Sequence, residues 1–444
     1  MSTSPAASQI APTRTTPPPS PSAPPSETGL DLHIQATNPD PHAEAAPDRH
    51  GESPGASVRS AAAQDPDSPL AHLSSEQIEQ LGRELDGIHD EVYADLGERD
   101  AKYIRNTIKF HRYLVLGARA MLLGSRKRSF WLGGTAALSV AKILENMEIG
   151  HNVMHGQWDW MNDPDINSKN WDWDTASPAD AWRHSHNYEH HTFTNIRGKD
   201  RDLGYEIMRI DTHQPWHPVY LFQPLYNLIL MGFFEWGVAL HDLNFEAIKT
   251  GEKSKKQVVE ELKAIGLKAR RQAVKDYVAF PLLSASAAAM ATGKKDIRPA
   301  FKATVAANFT ANIVRNVWAH SIIFCGHFPD QTYTFSEREV ENETRGAWYV
   351  RQLLGSANIE GGRLFHFMAG NLSFQVEHHL YPDMPSSRYA EIAPRVRDIC
   401  ERYGLPYNTG PLRKQLGSVH RTILRLALPG GKTRKKPGPS TADR

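Results

Sequence analysis

Two cysteines in 444 residues, Cys325 and Cys400, are too few for a disulfide framework or for a thiolate-held zinc or iron–sulfur site. A surplus of one charge is also missing. The 51 Lys and Arg offset 50 Asp and Glu, leaving a net charge of +1, which argues against a general nucleic-acid partner. Long apolar runs are lacking as well. Five stretches, 113–124, 129–150, 216–240, 277–293 and 300–325, are rich in apolar residues. None continues unbroken for the roughly 20 residues that a spanning helix needs. Arg119 interrupts the first, Lys142, Glu145 and Glu148 the second, and Lys302 and Arg315 the fifth. What the chain has in quantity is histidine: 21 residues, 14 of them between His151 and His379. Any metal bound here is bound by imidazole.

Composition divides the chain. Residues 1–70 hold 14 of the 30 prolines, with much Ser, Thr and Ala, and cannot bury enough apolar surface to offset ordering. We read 1–74 as a disordered tail without the basic and apolar regions of a secretory signal. A second, basic tail occupies 426–444, and 75–425 forms one folded domain. Helical periodicity dominates that domain, and 252–275 is a charged amphipathic helix.

On hydropathy alone, a soluble helical protein with buried apolar helices competes with a membrane protein. The pairing of the stretches favours the membrane. Only KKDIRP separates 277–293 from 300–325, as in a helical hairpin. If the histidines near 186 and 320 meet at one site, three crossings cannot lie between them, so 216–240 is expected to lie in the interface. The expectation is an all-α, multi-pass membrane protein with four transmembrane helices, one interfacial segment and a cytoplasmic helical cap. Arg126, Lys127 and Arg128, in the loop joining the first two spans, run against the positive-inside tendency.

The histidines fall into clusters. GHNVMHG places His151 and His155 four apart, on one face of a helix, where two rings can share a metal. RHSHNYEHH supplies His186, His190 and His191, with His184 two residues before them; NLSFQVEHHLYP supplies His378 and His379. Seven such residues exceed the needs of one zinc. Imidazole suits iron, copper and zinc alike. A soluble carboxylate-bridged di-iron bundle needs two Glu-x-x-His motifs, and only Glu148–His151 fits. A histidine-rich dinuclear iron site is the reading that uses the whole supply.

HNVMH, HNYEHH and QVEHH resemble the three histidine boxes of the integral-membrane fatty acid desaturases in type, order and spacing. The resemblance covers roughly residues 100–400. It implies four membrane helices under a cap that holds two iron ions (Fe2+/Fe3+). It also implies a further His at the end of the fourth span, preceded by an Asn, which Asn316 and His320 match. The implied ligands are His151, His155, His186, His190, His191, His320, His378 and His379. Gln375 stands where many members have a ninth His, as in the front-end subgroup. Asn316, Gln375, His184, Glu189 and Glu377 are possible ligands or partners of ligands, the two glutamates as acceptors for a ring N–H. His327, His366, His213, His217 and His241 are read as packed or structural.

The implied reaction is the O2-dependent introduction of a C=C bond into a fatty acyl chain carried by CoA, acyl carrier protein or lipid. Side-chain acid–base chemistry cannot remove hydrogen from an unactivated methylene, so the metal must. The chain has no G-x-G-x-x-G loop, no Cys cluster and no cytochrome b5 signature. Electrons are therefore expected from a separate ferredoxin, rubredoxin or cytochrome with its reductase. A related di-iron hydroxylase or ketolase, and a zinc-binding membrane receptor or sensor, are the competing readings.

Overall fold

The computed structural model describes residues 70–436. Of the two segments read as tails, 1–69 of the first and 437–444 of the second lie outside the described residues. The first helix, α1 (Ser75–Ala94), begins where the Ser74 hydroxyl and the Gln77 side chain cap each other's backbone N–H groups. α2 (Glu98–Leu123) and α3 (Arg128–Leu144) form an antiparallel pair joined at Gly124. Next come α4 (Gln223–Gly232), α5 (Phe234–His241), α6 (Lys255–Val274), α7 (Phe280–Thr292) and the long α8 (Ile297–His327). α9 (Arg345–Gly355), α10 (Gln375–Leu380), α11 (Tyr389–Arg402) and α12 (Leu412–Ala427) complete the principal helices. A short parallel pair, β1 (Asn358–Glu360) with β2 (Thr409–Pro411), interrupts the otherwise helical chain.

Two large apolar cores flank the histidines. One joins α1 to α9, α10 and α11 through Leu81, Leu85, Val350, Leu380 and Val396. The other joins the end of α3 to α4, α8, α12 and β1 through Met147, Leu230, Ile322, Ile359 and Val419. Between them, the loop before α10 comes against the end of α3. Gly370 makes this approach possible: its φ is +67°, and a Cβ there would lie 2.6 Å from the Met147 backbone. The Gly370 carbonyl accepts from Asn152 Nδ2 at 3.1 Å, fastening the third histidine box to the first.

The expectation of four transmembrane helices is not met. Among the described residues, no helix is long and apolar enough to cross a membrane. Stretch 277–293 yields the end of the π-helical Lys275–Ala279 and the 13-residue α7, and 216–240 breaks into a 3-10 turn, α4 and α5. The charges that interrupt the other stretches are taken up by interior partners. Asp276 receives Arg119 and Lys142, each at 2.8 Å, and Glu235 receives Arg315. The side chains of Lys142 and Asp276 are 7% and 0% exposed, so these are interior ion pairs.

This arrangement makes a prediction. Asp276→Ala strands two buried cations, and breaking such a pair costs about 3–5 kcal/mol. The thermal unfolding midpoint of the full chain should fall by several degrees. An unchanged midpoint would show that the pairs do not hold α2, α3 and the start of α7 together.

Candidate metal centre

The first two boxes lie at or within π-helical turns. Glu145–His151 and Arg183–His190 are π-helical, a widened winding that frequently marks functional sites. The third box is the short α10, buried along its length.

These elements gather the rings into one buried space. His151, His155, His186 and His378 each offer a nitrogen within 4.8 Å of the others, and so do His190, His327 and His379. His191 lies between the two groups. Its ring centroid is 4.7 Å from His155, 4.9 Å from His378 and 4.5 Å from His379. A third set combines His186, His190 and Asp202.

The hydrogen bonds sort the nitrogens by direction. His190 Nδ1 lies 3.0 Å from the Asp200 carboxylate, and His186 Nδ1 lies 3.2 Å from Asp202. His151 Nδ1 lies 3.1 Å from Asn152 Oδ1, His379 Nδ1 3.1 Å from Gln352 Oε1, and His378 Nδ1 3.2 Å from the Tyr389 hydroxyl. Each outer Nδ1–H thus donates to a fixed acceptor, which leaves Nε2 as an inward lone pair. Correspondingly, Nε2 of His155, His186, His191 and His378 is buried with no hydrogen-bond partner among the described residues. Buried nitrogens rarely remain unpaired, and several converging on one space fit a cation. His327 Nε2 and His379 Nε2 face each other at 3.2 Å, also as expected for two ligands of one ion.

Electrostatics agree with that use. Burial holds His151 down at about 3 and places His155, His191, His327, His378 and His379 well below the ordinary imidazole value. These rings are neutral at pH 7, the form that binds metal. At His190 burial again opposes protonation, but the Asp200 carboxylate reverses the shift, and the ring's affinity for a proton is raised.

The geometry separates the residues singled out from sequence. Seven of the eight implied ligands enter the shared space. His320 lies apart, stacked on Phe324 at 3.7 Å with Nε2 3.0 Å from Asn227 Oδ1. His327, seven residues further along α8, occupies the position that the sequence reading gave to His320. Asn316 lines a neighbouring cavity and donates to the Gly232 carbonyl at 3.0 Å. His184 is exposed and pairs with Glu189. Glu189 also takes Arg201 at 3.1 Å, while Glu377 accepts from Asn358 at 2.8 Å and Tyr407 at 2.6 Å. The carboxylates that reach the rings are instead Asp200 and Asp202, the latter also 2.9 Å from His241 Nε2. The segment Lys199-Asp200-Arg201-Asp202, which begins eight residues beyond the second box, carried the only sequence signal for them.

Gln375 places its amide nitrogen 3.0 Å from His327 Nε2, beside the second group. Gln375→Ala is therefore expected to keep most bound metal and to lower turnover. Metal per chain and product per metal, measured on one preparation, check this; full turnover would show that the amide has no part in the reaction.

A narrow, mainly apolar cavity of about 50 Å³ adjoins the first group. His151 and His186 form part of its wall, with Trp182, Tyr205, Phe234, Val238 and Ile323.

Comparison with known proteins gives consistent results. The family described as fatty acid desaturase matches residues 129–411. An NADPH-dependent stearoyl-CoA 9-desaturase of Mycobacterium tuberculosis is 48% identical over 360 residues, 81% of this chain and 82% of the relative. A fatty acid desaturase 2-like protein of Mus musculus is 28% identical over 28% of this chain and 24% of its own. Fatty acid desaturase 3 of Homo sapiens is 34% identical over 19% of each chain. No solved structure matches.

Proposed function

Because the chain belongs to the fatty acid desaturase family, we propose that its two histidine groups hold two irons beside a narrow, mainly apolar cavity, at which a long acyl-CoA chain meets the metals. The enzyme is a fatty acid desaturase, and its family is membrane-associated. In our reading His151, His155, His186 and His378 serve one ion and His190, His327 and His379 the other, with His191 facing both. The observation that carries this is the set of buried, inward Nε2 atoms without partners in and beside the first group, with the approach of His327 Nε2 to His379 Nε2 at 3.2 Å in the second. No thiol enters these groups, and the one carboxylate that comes within reach is Asp202, beside His186 and His190; such imidazole groups can hold iron.

Bound iron would supply the oxidising strength, drawn from O2, that hydrogen removal from an unactivated methylene demands. The overall balance is one –CH2–CH2– unit, O2, two electrons and two protons giving –CH=CH– and two waters. The protein's own part is placement. Trp182 stacks on His186 with ring centroids 4.6 Å apart, so the wall that holds an acyl chain also touches a proposed ligand. Phe234, Val238 and Ile323 remove that chain from water, at roughly 25 cal/mol per Å² of apolar surface covered. Asp200, Asp202, Gln352 and Tyr389 keep the rings from turning.

The relative's name supports a stearoyl-CoA substrate, a new bond at position 9 and NADPH as the ultimate reductant. The chain has no nucleotide-binding glycine loop, so we place a separate donor protein between NADPH and the metal centre. The folded region 75–425 then acts as one catalytic domain.

The test is expression of the full chain in a host with an NADPH-linked donor, followed by mass spectrometry of its fatty acids. A new monounsaturated species is expected. A hydroxylated species in its place would move the assignment to the hydroxylases.

A further inference from the structure

We propose that the outward face of α6 binds anionic lipid headgroups, an inference that rests on the membrane association of the family. The inward face of this helix is fixed. Ile265 packs with Ala176, Ala239 and Leu243, Gln272 Nε2 donates to Glu235 at 2.7 Å, and Lys268 Nζ donates to the Trp173 carbonyl at 2.8 Å. At 100° per residue, the opposite face comprises Lys255, Lys256, Val259, Leu262, Lys263, Gly266, Leu267, Arg270 and Val274. All of these are exposed.

Four cations therefore surround four exposed apolar side chains, against one exposed carboxylate, Glu260, which lies 4.0 Å from Lys256. The other acid of the helix, Glu261, takes Lys253 at 2.8 Å. Val259, Leu262, Leu267 and Val274 are 47–64% exposed, a poor use of apolar surface in water. A cationic face with an apolar centre is the pattern of a helix lying at a lipid surface. Its cations pair with headgroup phosphates and its apolar side chains enter the acyl boundary.

The continuation of the chain favours lipid over an acidic protein. Helical winding runs on from α6 through Lys275–Ala279 into α7. Between Asp276 and Thr292 the exposed large side chains are Val278, Leu282, Leu283 and Met290, and no charged residue is exposed there. One helical run thus passes from a mixed cationic and apolar face to a purely apolar one. A bilayer boundary changes in the same sense; an acidic protein surface would leave the apolar part bare.

The test uses the full chain with Gly266→Cys, where a side chain meets nothing within 4 Å. Cys325 and Cys400 are buried, so a fluorophore goes to the new thiol. The labelled enzyme is reconstituted in vesicles of phosphatidylcholine and phosphatidylglycerol, with a nitroxide on the headgroup of one or the other. Stronger quenching by labelled phosphatidylglycerol is expected, and added salt should weaken the preference. Lys255→Gln, Lys256→Gln, Lys263→Gln and Arg270→Gln together should abolish it, since each cation near an anionic surface is worth on the order of fivefold in partitioning. Arg413→Gln, Lys414→Gln, Lys432→Gln and Lys435→Gln, made together as a control on other exposed cations, should leave it intact.

Equal quenching by both lipids would overturn the anionic preference. Quenching by neither would place the face in water or under protein, and protection from a water-soluble quencher by an acidic electron donor would identify the latter. Desaturation measured in the same vesicles separates failure of this inference from failure of the functional reading.

Discussion

His327→Ala should lose most of its bound iron and drop to background turnover, whereas His320→Ala should keep its iron near the wild-type level. The contrast follows from position on one helix. His327 points Nε2 at His379 Nε2 across 3.2 Å and stacks edge-on with His190, ring centroids 4.7 Å apart. His320 is occupied by Phe324 and Asn227. Removing a direct ligand should exceed the 10- to 100-fold loss of metal affinity typical of outer partners. Iron per chain, measured together with the far-UV spectrum to exclude unfolding, decides the matter. Iron lost from His320→Ala but retained in His327→Ala would return the position to the one inferred from sequence.

Asp200→Ala should lower metal affinity by about 10- to 100-fold without touching a ligand. The Asp200 carboxylate is fully buried, lies 3.0 and 3.1 Å from His190 Nδ1, and accepts the Asn195 and Asp202 N–H groups at 2.7 and 3.0 Å. Those backbone bonds fix the carboxylate, and the carboxylate fixes the ring. Asp200→Asn can still accept from the ring with its amide oxygen, so its loss should be smaller. Glu189→Ala, which breaks only the pairs with Arg201 and His184, should bind metal as wild type does. Competition with a chelator gives the three affinities; equal losses in Asp200→Ala and Glu189→Ala would remove the special role of Asp200.

These contrasts mark what a sequence can reveal here. The first two boxes were legible because an i, i+4 pair on a helix shares a face, and that relation survives the π-helical winding at His151 and His186; the third was legible only as an adjacent His pair. The choice between His320 and His327 was not. Seven residues apart on α8, they lie on the same stripe about 10 Å apart along the axis, and sequence does not say which turn meets the site. Asp200 and Asp202 were hidden for a related reason: reaching His190 and His186 depends on how the loop after the second box folds back. The neighbouring Glu189 and Glu377 looked better placed, yet both face away toward Arg201 and toward Tyr407 with Asn358.

The expected membrane helices failed on length and on charge. Lys142 and Arg119 find Asp276, and Arg315 finds Glu235, from segments far away in sequence. A reading of local hydropathy registers such residues only as interruptions.

The most direct test of the account is the iron content of the full chain. Protein reconstituted without air, freed of loose metal and quantified by amino-acid analysis should carry about two irons per chain and little zinc, as two imidazole groups joined by His191 require. Loss of both irons on chelation should abolish formation of the unsaturated product, and their return should restore it. One iron per chain, or zinc in place of iron with activity intact, would contradict the two-group centre.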